Sequence, residues 1–156
     1  MLELEGQSAG VTGATGGIGK SVALALARKG VRLHLLVRDA AKGRQLASDL
    51  VDLAPSARFD VHELDLCGDI RSAVELVLKD IPAVDILVHA AGALRLVRFA
   101  DLDERDVDLQ FQINARAPLV LTKLLLPHLR KRPGHPPHRR RGLRSSRARP
   151  SPARGD

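Results

Sequence analysis

The sequence predicts an α/β fold in which a doubly wound parallel sheet is flanked by helices. Short apolar segments typical of strands alternate with segments of helical periodicity through residues 1–126. Strands and helices that alternate in this way imply right-handed crossovers and therefore parallel strands. A glycine-rich turn at 12–19 follows the first of these strands. We therefore expect four strands in the order 3-2-1-4, with a ligand crevice between strands 1 and 4.

The four strands are predicted where Val, Leu and Ile cluster. Gly10 weakens the first strand because glycine contributes no side chain to the packing. The predicted strands span 7–12, 31–37, 58–64 and 84–89. With no fifth strand to cover it, 84–89 should be an exposed apolar edge, which favours association and marginal stability.

Capping residues and periodicity set the predicted helices. Apolar residues recur every four positions at 17–29, and Gly30 is the expected C-cap. Asp39 should cap a second helix that ends before Pro55, and a third helix is expected at 70–79.

A long helix fits residues 103–126, and Pro118 lies inside it. Proline lacks the N–H that a helix interior uses, so it should kink this helix or mark a join between two pieces.

Charge divides the chain into two parts. Residues 1–126 carry 15 Lys/Arg against 17 Asp/Glu, a net −2, and residues 127–156 carry ten against one, a net +9, which accounts for the total of +7. Six of the nine prolines also lie in the second part. The sequence therefore predicts a folded binding unit at 1–130 and a disordered basic tail at 131–156.

The length of 156 residues fits one domain. The single cysteine, Cys67, excludes an internal disulfide and is expected to be a small buried or half-buried residue. The six histidines form no convincing metal set. No leader or membrane-spanning run is recognised, so a cytoplasmic location is expected.

Residues 12–19 read Thr-Gly-Ala-Thr-Gly-Gly-Ile-Gly, a pattern typical of a Rossmann-like fold. Gly13 allows a tight turn, Gly16 or Gly17 leaves room for phosphate oxygens, and Gly19 lets the helix approach its strand. The helix N-terminus adds free N–H groups and a partial positive charge. The turn therefore predicts a site for a dinucleotide pyrophosphate.

A rival interpretation is the phosphate loop of nucleoside triphosphatases, because 14–21 reads Ala-x-x-x-x-Gly-Lys-Ser. In that interpretation Lys20 reaches the outer phosphates and Ser21 holds magnesium. Such enzymes also need an acid at the end of a second strand. The fourth strand is instead followed by alanines and a glycine, so the dinucleotide interpretation is favoured.

A series of matches in sequence order resembles the short-chain dehydrogenase/reductases. The glycine loop is followed by Arg38 after the second strand and by Asp65-Leu66 after the third. Residues 89–92, His-Ala-Ala-Gly, stand where the family has Asn-Asn-Ala-Gly, and Asn114 precedes Pro118 in the long helix. The matches cover about residues 9–127.

The resemblance implies an oxidoreductase that transfers a hydride between a nicotinamide cofactor and an alcohol or carbonyl compound. Arg38 favours the 2′-phosphate of NADP, although Asp39 keeps NAD as an alternative. The resemblance also implies Asn114 as a catalytic residue. The implied cofactor-binding residues are Gly13, Thr15, Gly16, Gly17, Ile18, Gly19, Arg38, Asp65, Leu66, His89, Ala90, Ala91 and Gly92.

The chain departs from the family pattern in its catalytic group. The family uses a serine and a Tyr-x-x-x-Lys pair, but this chain has no tyrosine, and the serines after Asn114 lie in the basic tail. We expect a cofactor-binding portion, cut short before those residues by truncation or a shifted reading frame, with little or no turnover.

A non-enzymatic role is the alternative. Arg130-Lys131-Arg132 and the arginines at 139–141 would bind nucleic acid or an acidic partner. No aromatic residue follows Phe111, so base stacking is not available to this segment. Self-association through the exposed sheet edge and the last helix is a further expectation, and no membrane contact is expected.

Overall fold

The computed structural model describes residues 4–81 and 83–129. They form a four-stranded parallel sheet in the order β3-β2-β1-β4, so the predicted topology is confirmed. The strands are β1 (Ser8–Thr12), β2 (Arg32–Val37), β3 (Phe59–Glu63) and β4 (Ile86–His89). The helices are α1 (Gly17–Ala27), α2 (Ala40–Leu53), α3 (Ile70–Asp80), α4 (Glu104–Phe111) and α5 (Ala117–Leu125).

Each face of the sheet carries its own apolar core. One core packs the sheet against α1 and α2, and the other packs it against α3 and α5. In β2, Leu35 belongs to the first core and Leu36 to the second, because successive strand residues point to opposite faces. Burial on both faces is typical of an inner strand of a parallel sheet. The sheet is therefore a firm support for the loops at its carboxyl edge.

Aspartates begin three of the helices. The side chains of Asp39, Asp69 and Asp103 accept backbone N–H groups in the first turns of α2, α3 and α4, so the predicted capping role of Asp39 is confirmed. The expected role of Gly30 at the end of α1 is confirmed: it has φ +74°, its N–H donates to the carbonyl of Ala27 at 2.9 Å, and the Val31 N–H donates to the carbonyl of Leu26 at 3.2 Å. There its positive φ completes the turn into β2.

The predicted long helix consists of two α-helices joined by a five-residue π turn at Gln112–Arg116. Pro118 is the second residue of α5, so the expected join is confirmed and lies just before the proline. Because Pro118 has no N–H to donate, the regular hydrogen-bond ladder is interrupted there. The π turn brings its own residues close to the carboxyl edge of the sheet.

The outer side of β4 is sparsely covered in the described part of the chain. One parallel bridge joins Val84 to Leu129, and the Val84 N–H donates to the carbonyl of His128 at 3.0 Å. The side chains of β4 are half-buried or exposed, in contrast to the buried β1. The basic tail predicted at 131–156 lies outside the described residues.

Candidate functional site

A crevice of about 770 Å³ opens at the carboxyl edge of the sheet. The segments that follow all four strands line it, and Ile113 of the π turn completes it. In a doubly wound sheet this is where ligands bind, because the chain turns to opposite faces after β1 and β4. The predicted crevice between strands 1 and 4 is therefore present.

Gly13 and Gly19 shape the turn between β1 and α1. Gly13 has φ +66°, and a Cβ there would meet the backbone of Ala91 and lie 2.6 Å from the carbonyl carbon of Ala90. A Cβ on Gly19 would meet the carbonyl oxygen of Gly13 and lie 2.7 Å from its carbon. Both positions therefore require glycine for close backbone packing.

The N-terminus of α1 has no side-chain cap. Gly16 is the N-cap, and it has no side chain that could accept the first N–H groups of the helix. The aspartates that begin α2, α3 and α4 do accept them. Thr15 and Gly16 line the crevice, whereas Gly17, Ile18 and Gly19 are not among its lining residues. An uncapped helix start leaves N–H groups for an anionic ligand.

Lys20 and Ser21 do not serve the rival phosphate-loop interpretation in this structure. The Lys20 ammonium lies 3.4 Å from Asp49 of α2, and the Ser21 hydroxyl donates to the carbonyl of Gly17 at 2.9 Å. Neither residue lines the crevice.

Two basic side chains and one carboxylate follow β2. Arg38, Asp39 and Lys42 line the crevice, and no carboxylate in residues 4–81 or 83–129 forms an ion pair with Arg38. Asp39 Oδ1 accepts the N–H groups of Ala41 at 2.9 Å and Lys42 at 3.1 Å. The hydrogen bond from the Lys42 N–H, with that from Ala41, lowers the pKa of Asp39. Asp39 therefore caps α2, whereas the Arg38 guanidinium has no carboxylate partner among the described residues and can contact an anionic ligand in the crevice.

The loop after β3 supplies the opposite wall. Asp65, Leu66 and Cys67 line the crevice, and Asp65 Oδ1 accepts the N–H of Cys67 at 2.9 Å. Cys67 is exposed, which corrects the expectation of a buried or half-buried residue: the loop carries it to the surface, away from both cores. Partial burial and the Asp65 carboxylate raise the pKa of its thiol, which disfavours the thiolate.

Residues 89–92 divide into two environments. Ala90, Ala91 and Gly92 line the crevice, but His89 does not; its Nε2 lies 2.8 Å from the hydroxyl of Thr122 on α5. Thr12 carries the local hydrogen bonds, since its hydroxyl accepts the N–H of Ala91 at 3.3 Å. The threonine that ends β1 therefore ties this loop to the sheet where the family has amide side chains.

Asn114 lies in the π turn, and both ends of its amide bond to the backbone of one residue. Oδ1 accepts the N–H of Ala93 and Nδ2 donates to the carbonyl of Ala93, both at 2.8 Å. This is a polar residue that holds nearby backbone across a helix irregularity. Asn114 is not among the residues that line the crevice.

Two histidines lie close together away from the crevice. His34 Nδ1 is 3.2 Å from His62 Nε2 across β2 and β3, and the side chain of His34 is only 5% exposed. Within the described ranges, no group of three or more His, Cys, Asp or Glu side chains is placed to hold a metal. His135 and His138 lie outside those ranges. None of the helices in the described part of the chain is both long and apolar enough to span a membrane.

Comparison with protein families decides the relationship. Residues 7–135 match the family model described as short chain dehydrogenase.

The chain belongs to the short-chain dehydrogenase family.

Curated relatives agree with this assignment. The chain is 36% identical over 132 residues to "Dehydrogenase/reductase SDR family member 13" of Bos taurus, covering 83% of this chain and 34% of the relative. It is 34% identical over 136 residues to "Oxidoreductase UcpA" of Salmonella typhimurium, covering 85% of this chain and 50% of the relative. The chain thus spans between a third and a half of these two short-chain dehydrogenase relatives.

Solved structures show the same fold. A putative short chain dehydrogenase of Shigella flexneri 2a, solved with NADP, has a TM-score of 0.71 at 30% identity, covering 81% of this chain and 54% of that one. L-sorbose reductase of Gluconobacter frateurii, solved with NADPH and L-sorbose, has a TM-score of 0.73 at 23% identity. The match covers 82% of this chain and 50% of the reductase chain. At that identity the second likeness concerns the fold alone.

Part of the crevice is lined by residues outside the sequence motifs. The motif-based residues that line it are Gly13, Thr15, Gly16, Arg38, Asp65, Leu66, Ala90, Ala91 and Gly92. Other lining residues include Lys42, Glu63 and Ile113, which no motif singled out. Their position in the sequence could have indicated Lys42 and Glu63 as lining residues, because both lie at or shortly after the carboxyl end of a strand.

Proposed function

We propose that this chain binds NADP, in preference to NAD, in the crevice at the carboxyl edge of its sheet. In this proposal residues 1–130 act as the cofactor-binding portion of a short-chain dehydrogenase. The observation that carries it is the uncapped start of α1 beside a glycine turn, opening into the crevice that Arg38 also lines. Membership of a family of NAD(P)-dependent oxidoreductases supports the same ligand.

The chain's own residues fit the parts of such a ligand. The start of α1, at Gly16, suits the pyrophosphate because its N–H groups and dipole attract an anion. Arg38 suits a 2′-phosphate, since its charge is not consumed by an ion pair within the described residues. Lys42 adds a second cation nearby, although its ammonium lies 3.9 Å from Asp39 Oδ2. Asp65 and Leu66 suit the adenine side of the crevice. Ala90, Ala91 and Gly92 suit the nicotinamide side.

NADP, when bound, supplies the hydride acceptor or donor of the family's reaction. No residue of this chain is a tyrosine, so the 156-residue chain lacks the phenol that acts as acid and base in the family. Asn114 is proposed as the remaining counterpart of the family's catalytic group, with its side chain holding Ala93. We propose that the chain binds the cofactor and turns over no carbonyl substrate by itself.

Fluorescence titration tests the ligand and the preference. The full chain should bind NADPH with saturation and more tightly than NADH. Arg38→Ala should weaken NADPH binding about tenfold or more, because a hydrogen-bonded charge contact contributes about 1.5–3 kcal/mol. NADH binding should change little. Arg44→Ala is the matched control, since Arg44 lies on α2 and does not line the crevice.

Failure of the full chain to bind NADPH would refute the proposed ligand. Equal losses of NADPH and NADH binding in Arg38→Ala would contradict the proposed NADP preference. Oxidation of NADPH by the full chain with carbonyl compounds, at rates usual for an oxidoreductase, would contradict the proposed lack of turnover.

The charge of residues 127–156 favours a second candidate function, binding of nucleic acid or an acidic partner. Ten Lys/Arg against one acid would give affinity that falls steeply with salt. Replacing the arginines at 139–141 with glutamine should then weaken binding of a DNA duplex and flatten the salt dependence. Binding that ignores these substitutions would remove the candidate. A cytoplasmic site of action belongs to both proposals.

A further inference from the structure

Gln112 links the π turn to the wall of the crevice. Its Nε2 donates to the carbonyl of Leu66 at 2.9 Å, and its Oε1 accepts from Arg116 Nη1 at 3.1 Å. Arginine can only donate and a carbonyl can only accept, so both partners require the same orientation of the amide. The hydrogen bond from Arg116 therefore fixes the Gln112 amide in the orientation that directs Nε2 toward the carbonyl of Leu66.

The loop that Gln112 holds has few other hydrogen bonds, although the Leu66 side chain also packs against the core beside α3 and α5. Asp65 bonds to Cys67 within the loop itself. In the described part of the chain, Gln112 is the one side chain from another element that hydrogen-bonds to residues 65–68. Asp65, Leu66 and Cys67 all line the crevice, so the Gln112 hydrogen bond, between residues 46 positions apart, fixes the backbone of this wall in addition to the packing of Leu66.

Three consecutive residues of the π turn contact different parts of the crevice: one lines it, and the other two hold its opposite rims. Gln112 bonds to the loop after β3, Ile113 lines the crevice between them, and Asn114 bonds to Ala93 after β4. The two amides thus hold opposite sides of one opening. Loss of either contact should loosen one side and leave the other in place.

We propose that Gln112 is a positioning residue of the dinucleotide site. By holding the carbonyl of Leu66, it keeps the adenine-side wall where the ligand would rest. Arg116 supports it by fixing the amide orientation. This inference rests on the proposed binding of NADP, because Gln112 acts through the wall and does not itself line the crevice. Pre-positioning matters because ordering a loop at the moment of binding reduces affinity.

Gln112→Leu removes the donor, and Gln112→Glu keeps the shape and the Arg116 contact but turns a carboxylate oxygen toward Leu66. Both should weaken NADPH binding about five- to tenfold, in keeping with one lost hydrogen bond. Adenosine 2′,5′-bisphosphate should lose affinity to the same extent. Binding of nicotinamide mononucleotide, followed by NMR, should not change. Gln45→Leu is the matched control, because Gln45 bonds only to Asp49 on the exposed face of α2.

The outcomes separate the two proposals. If the natural chain binds no NADPH, the proposed function fails and Gln112 is not the reason. If the natural chain binds NADPH and both Gln112 variants match Gln45→Leu, the positioning role is overturned. It is also overturned if both half-ligands weaken equally, because that is the result of a general loss of structure. The melting temperature of each variant provides the independent check on folding.

Discussion

Replacing Gly19 with alanine should destabilise the whole fold, whereas the same change at Gly17 should not. The two glycines lie two residues apart at the start of α1. A Cβ on Gly17 would meet no atom within 4 Å. A Cβ on Gly19 would lie 2.7 Å from the carbonyl carbon of Gly13 and 3.0 Å from Cα of Ala14, and closer still to the Gly13 oxygen.

The size of the effect follows from what must move. Ordinary contact with a Cβ begins near 3.4 Å, so α1 and the turn must separate by about 0.7 Å at the carbonyl carbon alone. The contacted atoms are backbone, and no side chain can rotate away. Forced overpacking costs about 1–3 kcal/mol, and a backbone clash belongs at the upper end, near 3 kcal/mol. Gly17→Ala should stay within about 0.5 kcal/mol of the natural chain, helped by the higher helix propensity of alanine.

Urea unfolding of both variants, followed by circular dichroism, measures the difference. A loss of about 3 kcal/mol is a large share of the stability of an ordinary domain, so Gly19→Ala should unfold at a much lower urea concentration. Equal unfolding midpoints for Gly17→Ala and Gly19→Ala would refute the inferred tight approach of α1 to the turn.

Three further predictions concern stability and association. Burial lowers the pKa of His34 to about 4 from 6.5, so the unfolded chain takes up a proton at higher pH than the folded chain. The stability that the neutral ring contributes is present above pH 6.5, and the free energy of unfolding should fall by about 2.5 kcal/mol between pH 6.5 and 4. An unchanged pH slope of urea midpoints in His34→Gln would contradict this. Asp39→Ala should cost about 1 kcal/mol because two N–H groups of α2 lose their acceptor, and Asn at this position should restore most of it; equal midpoints for Ala and Asn would argue against the cap. The sparsely covered edge strand β4, together with the side chains of Leu119 (73% exposed) and Leu126 (63% exposed) in and just after α5, should cause self-association. Sedimentation velocity over a range of concentrations measures it, and a single monomer boundary throughout would count against it.

Local patterns in the sequence predicted most of the elements. Alternation of apolar segments located all four strands, and the observed β2 lies within the predicted 31–37. Asp39 marked the start of α2, because a capping side chain acts on N–H groups two and three residues ahead. Pro118 marked the join in the long helix, because the missing N–H is a property of the residue itself.

Predictions that depended on distant neighbours were less successful. Cys67 was expected to be at least half-buried from its residue type, but its loop exposes it. His89 is the first residue of the motif at 89–92, whose other three residues line the crevice, yet its ring bonds to Thr122, 33 residues away. In each case the outcome depended on the path of the chain.

By itself the sequence determined the strands and helices, the glycine turn and the family, since these depend on residue type, spacing and order along the chain. Only the tertiary structure decided which residues line the crevice and which residues hold its two rims. Leu66 and Gln112 are held together by one hydrogen bond, and Asn114 by two to Ala93, although 46 and 21 residues separate the partners. Such contacts leave no periodic trace in the sequence, because they form only when parallel strands bring their carboxyl ends to one edge and the π turn is packed beside it.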